Sequence, residues 1–328
     1  MEYESYMKNK TGSVTVIFLS GFQEFHNLRI ILFLIFLVIY CVTICGNLLI
    51  TLVVSSSRSL HSPMYFFLTQ LSFSDILLST TIAPNTLHIV LYEGSSLSLI
   101  GCLTQFYFFS ASGMLETFIL TVMSYDRYQA ICHPLHYTSV MDLTFCLRSV
   151  FLFWLLILVV ILVLSVTMSY LQFCGPNIID HFFCDRDPIL ELSCSDTSLV
   201  KAESMFFMIP LAICPFTVII VSYIYIIFTI MKISSATGRQ KTFSTCSSHL
   251  AVVSIFYGST IIIYLFPNSI NASKIVSLVY TVVIPLLNPI IYSLTNRDIT
   301  QAFRNLLSKM STTFLAGWQL PKMTGKYK

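Results

Sequence analysis

The chain has 328 residues, 55% hydrophobic and only 10% charged, with a formal net charge of +3 and a mean hydropathy of +0.80. A soluble domain carries roughly 25% charged residues, so this composition excludes an ordinary water-soluble enzyme and points to lipid as the main solvent. Seven apolar runs follow one another, at 28–54, 63–91, 99–125, 145–169, 202–231, 243–267 and 275–295. Each reaches the about 20 residues needed to cross a hydrocarbon core. Backbone groups in lipid must bond within their own segment, so the runs are expected to be helices. The expected fold is all-α, a seven-transmembrane helix bundle. It divides into an outer tail at 1–27, the bundle at 28–296 and a cytoplasmic segment at 297–328. No internal repeat relates its halves.

The first ten residues, MEYESYMKNK, are polar and lack the apolar core of a cleavable signal, so the first span is expected to direct its own insertion. Loop charge sets the orientation. With the N-terminus outside, the cytoplasmic side holds twelve basic residues and three acids, Asp126, Asp142 and Asp298; the outer side holds six basic and ten acidic residues. The reverse orientation would face the basic loops outward, which identifies the N-terminus as extracellular. The sequon Asn9-Lys10-Thr11 then faces the secretory lumen and is expected to be glycosylated; Asn271-Ala272-Ser273, cramped between two spans, is not.

Location sorts the ten cysteines. Cys41, Cys45, Cys132, Cys146, Cys214 and Cys246 fall in spans or on the reducing side and read as small buried thiols. Cys102, Cys174, Cys184 and Cys194 lie outside, an even set that implies two disulfides in any of three connectivities. His181, Cys184 and Asp185 have a spacing that a soft metal could use, but a cysteine in a disulfide offers no thiolate, so no such metal is expected.

Asp75 in the second span and Glu116 in the third are the acids deep in the bundle. Facing carboxylates in lipid cannot both ionise cheaply without a shared proton or a cation. At the cytoplasmic end of the third run stands MSYDRYQAICHPLHY, Met123–Tyr137, with the adjacent charges Asp126 and Arg127. Further along are LHSPMYFFL (Leu60–Leu68), KTFSTCSSHL (Lys241–Leu250), FYG (Phe256–Gly258) and PLLNPIIYSLTNRDI (Pro285–Ile299). With the outer loop CGPNIIDHFFCDRDPILELSCSDT (Cys174–Thr197), these segments resemble, in order and spacing, the olfactory receptors, a branch of the rhodopsin-like G-protein-coupled receptors.

The resemblance implies Cys102–Cys184 and Cys174–Cys194 as the disulfide pairs, the first pinning the outer loop over the bundle mouth. It implies that Asp75, Asn47 and Asn288 form a polar core able to hold sodium, with Glu116 as the olfactory addition; a proton shared by the carboxylates would do the same work. It implies an activation switch of Asp126, Arg127, Tyr128, Tyr223, Asn288, Pro289 and Tyr292, where Pro289 removes a helical hydrogen bond and makes a site of adjustable bending. Ser124 and Gln129 depart from the family, which usually has alanine and valine there.

The outer halves of spans three, five, six and seven are aromatic and aliphatic. Phe109, Gly113, Met114, Phe207, Met208, Tyr257, Ile261, Tyr264, Leu278 and Thr281 are the candidate wall of a small apolar cavity. No catalytic set converges, so no enzyme activity and no cofactor beyond a sodium ion are expected. After Arg297 the pattern Ile299, Phe303, Leu306, Leu307 reads as a short amphipathic helix on the inner leaflet. No cysteine follows Cys246, so no palmitoyl anchor is expected there. The implied function is an odorant receptor for small volatile molecules at the plasma membrane, in olfactory cilia. Its partners would be the stimulatory G protein and membrane lipid, not nucleic acid. The rival readings are a transporter or channel, and a non-olfactory receptor of the same fold. Transporters usually carry repeats or broken helix pairs, and a retinal protein needs a lysine in the last span, where Ile275–Leu294 has none.

Overall fold

The structure, a computed structural model, describes residues 15–174, 177–265 and 270–317. Its long helices, here α1 to α8, are Arg29–Ser56, Pro63–Tyr92, Leu99–Cys132, Leu143–Ser169, Ser198–Lys232, Ala236–Leu265, the composite α7 and Arg297–Gly317. The composite α7 runs through Ile270–Leu278, a π-helical turn at Val279–Val283, and Ile284–Thr295. Among the described residues six helices, α1 to α5 and the stretch Lys274–Leu294 of α7, are long and apolar enough to cross a membrane. The 30-residue α6 covers most of the remaining expected span. The expected all-α bundle is what forms.

Local chemistry sets several helix ends. Asp142 caps α4, its carboxylate accepting from the Phe145 amide at 2.7 Å, and Ser98 caps α3 through the Gly101 amide at 3.0 Å. Asn296 breaks α7 from α8 in an extended conformation. Its side-chain oxygen accepts from the amides of Asp298 and Ile299, so the same residue starts the next helix. The 21-residue α8 is longer than the Ile299–Leu307 pattern required, and it buries Ile299 and Ala302.

Helix α3 is the axis. Over its most apolar stretch 61% of residues are buried, against 11% in α1 and 22% in α4, whose leucines and isoleucines face outward. In lipid that outward apolar surface is the solvated surface. It also continues well past the apolar run ending at 125, so Asp126 and Arg127 lie within a continuous helix.

The outer face carries a feature that the sequence did not announce. Val16–Leu19 (β1) is the middle strand of a three-stranded sheet, antiparallel to Ser95–Ser98 (β2) and parallel to Ile178–Ile179 (β3). Residues assigned to a tail thus form part of a lid. Ile17, Leu19, Phe182 and Phe183 are fully buried beneath it. Cys102 is bonded to Cys184 (Cα–Cα 5.4 Å), tying the lid to α3, and Cys174 to Cys194 (5.8 Å), closing a hairpin within the loop. The Cys184 amide also donates to Gln105 of α3 at 2.9 Å. At the lid edge the Lys274 ammonium donates to Asp180 at 2.6 Å.

His181 is buried between Phe182 and Phe183, with ring centroids 4.7 and 4.6 Å away. Burial, and secondarily the Lys274 charge, push its pKa down from 6.5 to about 4. The buried ring stays neutral where an unfolded loop would take up a proton. Stability should therefore be constant above pH 6.5 and fall as pH drops from 6.5 toward 4, by at most about 3 kcal/mol. Thermal melts of the purified receptor across that window should show the slope, and His181→Gln should flatten it. Cys102→Ser should lower stability by roughly 2–4 kcal/mol and cut surface expression. Flow cytometry should find a smaller loss for Cys174→Ser with Cys194→Ser, whose loop is shorter.

Candidate functional site

At mid-membrane four helices share a polar knot. The Asn288 amide of α7 donates to both carboxylate oxygens of Asp75 on α2, each at 3.0 Å. Glu116 of α3 lies close enough to Asp75 for the two carboxyl groups to interact electrostatically. Asn47 of α1 donates to the Pro285 carbonyl at 3.2 Å and to the Thr43 carbonyl at 3.0 Å. Pro289 cannot donate a backbone bond, so helix and side chain recombine here. All four polar residues are essentially without exposure.

The knot leaves three oxygens over. Asn47 Oδ1, Asn288 Oδ1 and Glu116 Oε1 are buried and have no hydrogen-bond partner among the described residues. Buried polar atoms without partners call for an explanation. These are hard oxygen acceptors beside two carboxylates, a donor set that suits a monovalent cation or a shared proton. Among the described residues there is no group of three His, Cys, Asp or Glu able to hold a softer metal.

The cytoplasmic end is built around a histidine of α6. His249 of α6 is fully buried; its Nδ1 meets the Tyr223 hydroxyl of α5 at 2.6 Å and its Nε2 the Leu120 carbonyl of α3 at 3.0 Å. One imidazole thereby staples three helices. Tyr223 is committed to that staple, while the buried Tyr292 hydroxyl has no partner among the described residues. In the sequence His249 is a lone histidine in KTFSTCSSHL, with nothing to mark its acceptor.

Asp126 has a closer partner than the one expected. Its carboxylate accepts from the Tyr137 hydroxyl at 2.8 Å, whereas Arg127 Nε stands 3.9 Å away, the edge of an ion pair. Tyr137 lies in a single turn, Tyr137–Val140, that follows α3, so the acid ties the inner loop to the helix. Burial, then the neighbouring Asp126 charge, raise the Tyr137 pKa far above its usual range and keep it a donor. Tyr128 pairs with His133 at 3.0 Å. Of the two departures, Gln129 donates to Tyr125 at 2.7 Å, and Ser124 is buried with no partner for its hydroxyl among the described residues.

Below the lid the wall residues divide into groups. Phe109 packs against Phe183 of the lid (4.7 Å) and Tyr280 of α7 (5.7 Å). One turn further in, a Cβ added to Gly113 would meet no atom of the described residues within 4 Å, nor would one at Gly258. Met114, Phe207, Met208 and Leu278 pack on the core from partly buried positions. Tyr257 packs at a tilt against Phe216 of α5 (4.8 Å), its buried hydroxyl without a hydrogen-bond partner among the described residues. Ser204, one turn outward of Met208, is another buried hydroxyl without a partner among the described residues.

Thr281 instead lines a crevice between α1, α2 and α7 with Phe36, Tyr40, Ser79 and Ile82. The wide turn at Val279–Val283 breaks the regular helical period, so extrapolating 3.6 residues per turn does not locate Tyr280, which is the residue that reaches Phe109. The side chains of Ile261, Tyr264 and Asn271, and all of Asn9, lie outside the described residues.

The chain resembles known proteins along most of its length. The family pattern described as Olfactory receptor matches residues 36–310. Olfactory receptor 1f45 of Rattus norvegicus is 43% identical over 300 residues, covering 90% of this chain and 96% of its own. Olfactory receptor 10A7 of Homo sapiens is 43% identical over 299 residues, covering 90% and 95%. Olfactory receptor 1M1 of Mus musculus is 42% identical over 309 residues, covering 93% and 98%. This multi-pass plasma-membrane protein belongs to the olfactory receptor family, a family of odorant receptors that couple to G proteins, not of enzymes.

Proposed function

We propose that this receptor takes a small, mostly apolar volatile molecule into the space beneath Phe109 and Phe183, and that binding there activates the stimulatory G protein and raises cyclic AMP. The observation that carries the reading is the open space beside Gly113, one turn below Phe109, under a lid of aromatic side chains. Met114, Phe207 and Met208 are apolar and partly buried on the same helices, and the Ser204 and Tyr257 hydroxyls have no hydrogen-bond partner among the described residues. A ligand of about 10 heavy atoms gaining roughly 0.5–0.8 kcal/mol each reaches ~5–8 kcal/mol, which is high-micromolar to micromolar affinity. Broad recognition follows from such weak binding.

The output end is the region of Asp126, Arg127, Tyr223, His249 and Tyr292. A ligand contributes only its differential affinity for the state in which α6 has moved. Moving α6 away from α3 breaks the His249–Leu120 bond and leaves the Tyr223 hydroxyl to seek another partner, with Arg127 the nearest charged group on α3. Asn47, Asp75, Glu116 and Asn288 are the residues that would hold a sodium ion, which would neutralise the paired carboxylates and favour the packed state. A transporter finds no comparable support, because the buried charges form one knot instead of a relay across the bilayer.

Arg127→Ala should abolish odorant-evoked cyclic AMP in reporter cells while surface expression persists; an unchanged response would sink the mechanism. Basal cyclic AMP production in membranes should fall as sodium replaces potassium. Asp75→Asn should remove that dependence, and equal sodium sensitivity in both proteins would count against the ion site.

A further inference from the structure

The middle strand of the outer sheet comes from the N-terminal segment. The Phe18 amide donates to the Asn177 carbonyl at 2.7 Å and the Ser20 amide to the Ile179 carbonyl at 3.0 Å, while the Asn177 side chain donates back to the Val16 carbonyl at 2.9 Å. On the other edge Val16, Ile17, Phe18 and Leu19 pair with Ser98, Leu97, Ser96 and Ser95. Removing β1 would leave β2 and β3 unconnected.

Two residues beyond β1 brace the outer loop directly. A Cβ on Gly21 would lie 2.7 Å from the Phe182 nitrogen and 2.8 Å from the His181 carbonyl carbon. Both are backbone atoms, which cannot swing aside as a side chain would, so any residue larger than glycine displaces the loop at 181–182. The Phe22 ring stacks on Phe182 at 5.5 Å and lies 5.6 Å from Phe36 of α1. From there aromatic contacts run through Phe183 (5.0 Å) to Phe109 (4.7 Å), the residue directly above the open space at Gly113.

We infer that the segment Thr15–Phe22 is part of the gate over the ligand space, with Gly21 and Phe22 as the positioning residues that hold the Phe182–Phe183 plug against Phe109. The inference rests on the reading of that space as the ligand site. Entry from outside requires Phe183 to leave Phe109, and the firmness of β1 on β3 sets how often it does. The stacked ring of Phe22 and the side-chain-free Gly21 favour the closed arrangement. Residues ahead of the first span thereby influence which molecules get in and how fast, without touching them.

The test measures access without any odorant. A cysteine placed by Gly113→Cys on intact cells is exposed to a membrane-impermeant, positively charged methanethiosulfonate, and the parent chain gives the background from Cys41, Cys45 and Cys214. Labelling should be slow in the single variant. It should rise at least about tenfold when Gly21→Ala or Phe22→Ala is added, because local opening controls access to buried sites. Phe22→Tyr, which keeps the ring, should return the slow rate, and Phe25→Ala, at an exposed position in the following turn, should leave it slow. Rates unchanged by both Gly21→Ala and Phe22→Ala overturn the inference. So does a rise that merely tracks a lowered melting temperature across the variants. Variants that fail to reach the surface are read as purified protein in micelles by the same criterion. A receptor that gates normally yet gives no odorant response would instead count against the ligand reading.

Discussion

A helix in lipid gains little from hiding apolar side chains, because the lipid tails are as apolar as its neighbours; what chooses one helix arrangement over another is close packing and the polar contacts that cross between helices. In this bundle those contacts are few. The mid-membrane knot connects α1, α2, α3 and α7, Ser74 of α2 donates to the Ser112 carbonyl of α3 at 2.9 Å, and His249 joins α3, α5 and α6. Two of them end on α3, at Ser112 and Leu120, and α3 is also the most enclosed of the apolar helices. The bundle is therefore organised as spokes on α3, with a polar fastening at the middle and another toward the cytoplasm.

That distribution separates two kinds of surface along one axis. The outer third is aromatic and closed by covalent and strand-paired lid elements. The inner two-thirds hold Asn47, Glu116, Ser124, Asn288 and Tyr292, each with a buried polar atom that has no partner among the described residues; nearer the outside His181, Ser204 and Tyr257 are in the same condition. A rigid network would have saturated these groups. Leaving them unsatisfied in one arrangement makes a second arrangement reachable at modest cost, since new bonds can form as old ones break.

Much of this was legible in the sequence, for identifiable reasons. Spans are readable because lipid imposes a length and a composition. The partnership of Asp75 and Asn288 is readable because buried charge is too costly to be incidental. His249, Tyr137 and β1 were not readable. A single histidine has no period, and the acceptor it finds is a backbone carbonyl, which every residue has. Tyr137 sits eleven residues from Asp126 across a turn whose geometry no pattern encodes. Strand β1 is four residues long, and its partners are about 80 and 160 positions away, a pairing set wholly by tertiary context. The bonding partners of Asp126, Tyr223 and Asn288 had to be seen in the structure.

The wide turn in α7 has a consequence of its own. A π turn carries one residue more than the α-helix around it, and that surplus can be passed along the chain by exchanging one hydrogen bond for the next. Val279–Val283, which itself carries Tyr280 and its contact with Phe109, lies between the segment bearing Lys274 and the segment bearing Asn288 and Pro289. The helix is then less a single rod than a shaft with a slip joint. Its outer piece can rotate to suit a bound molecule while the inner piece stays fastened to Asp75, so different molecules can be accommodated above without each one resetting the machinery below.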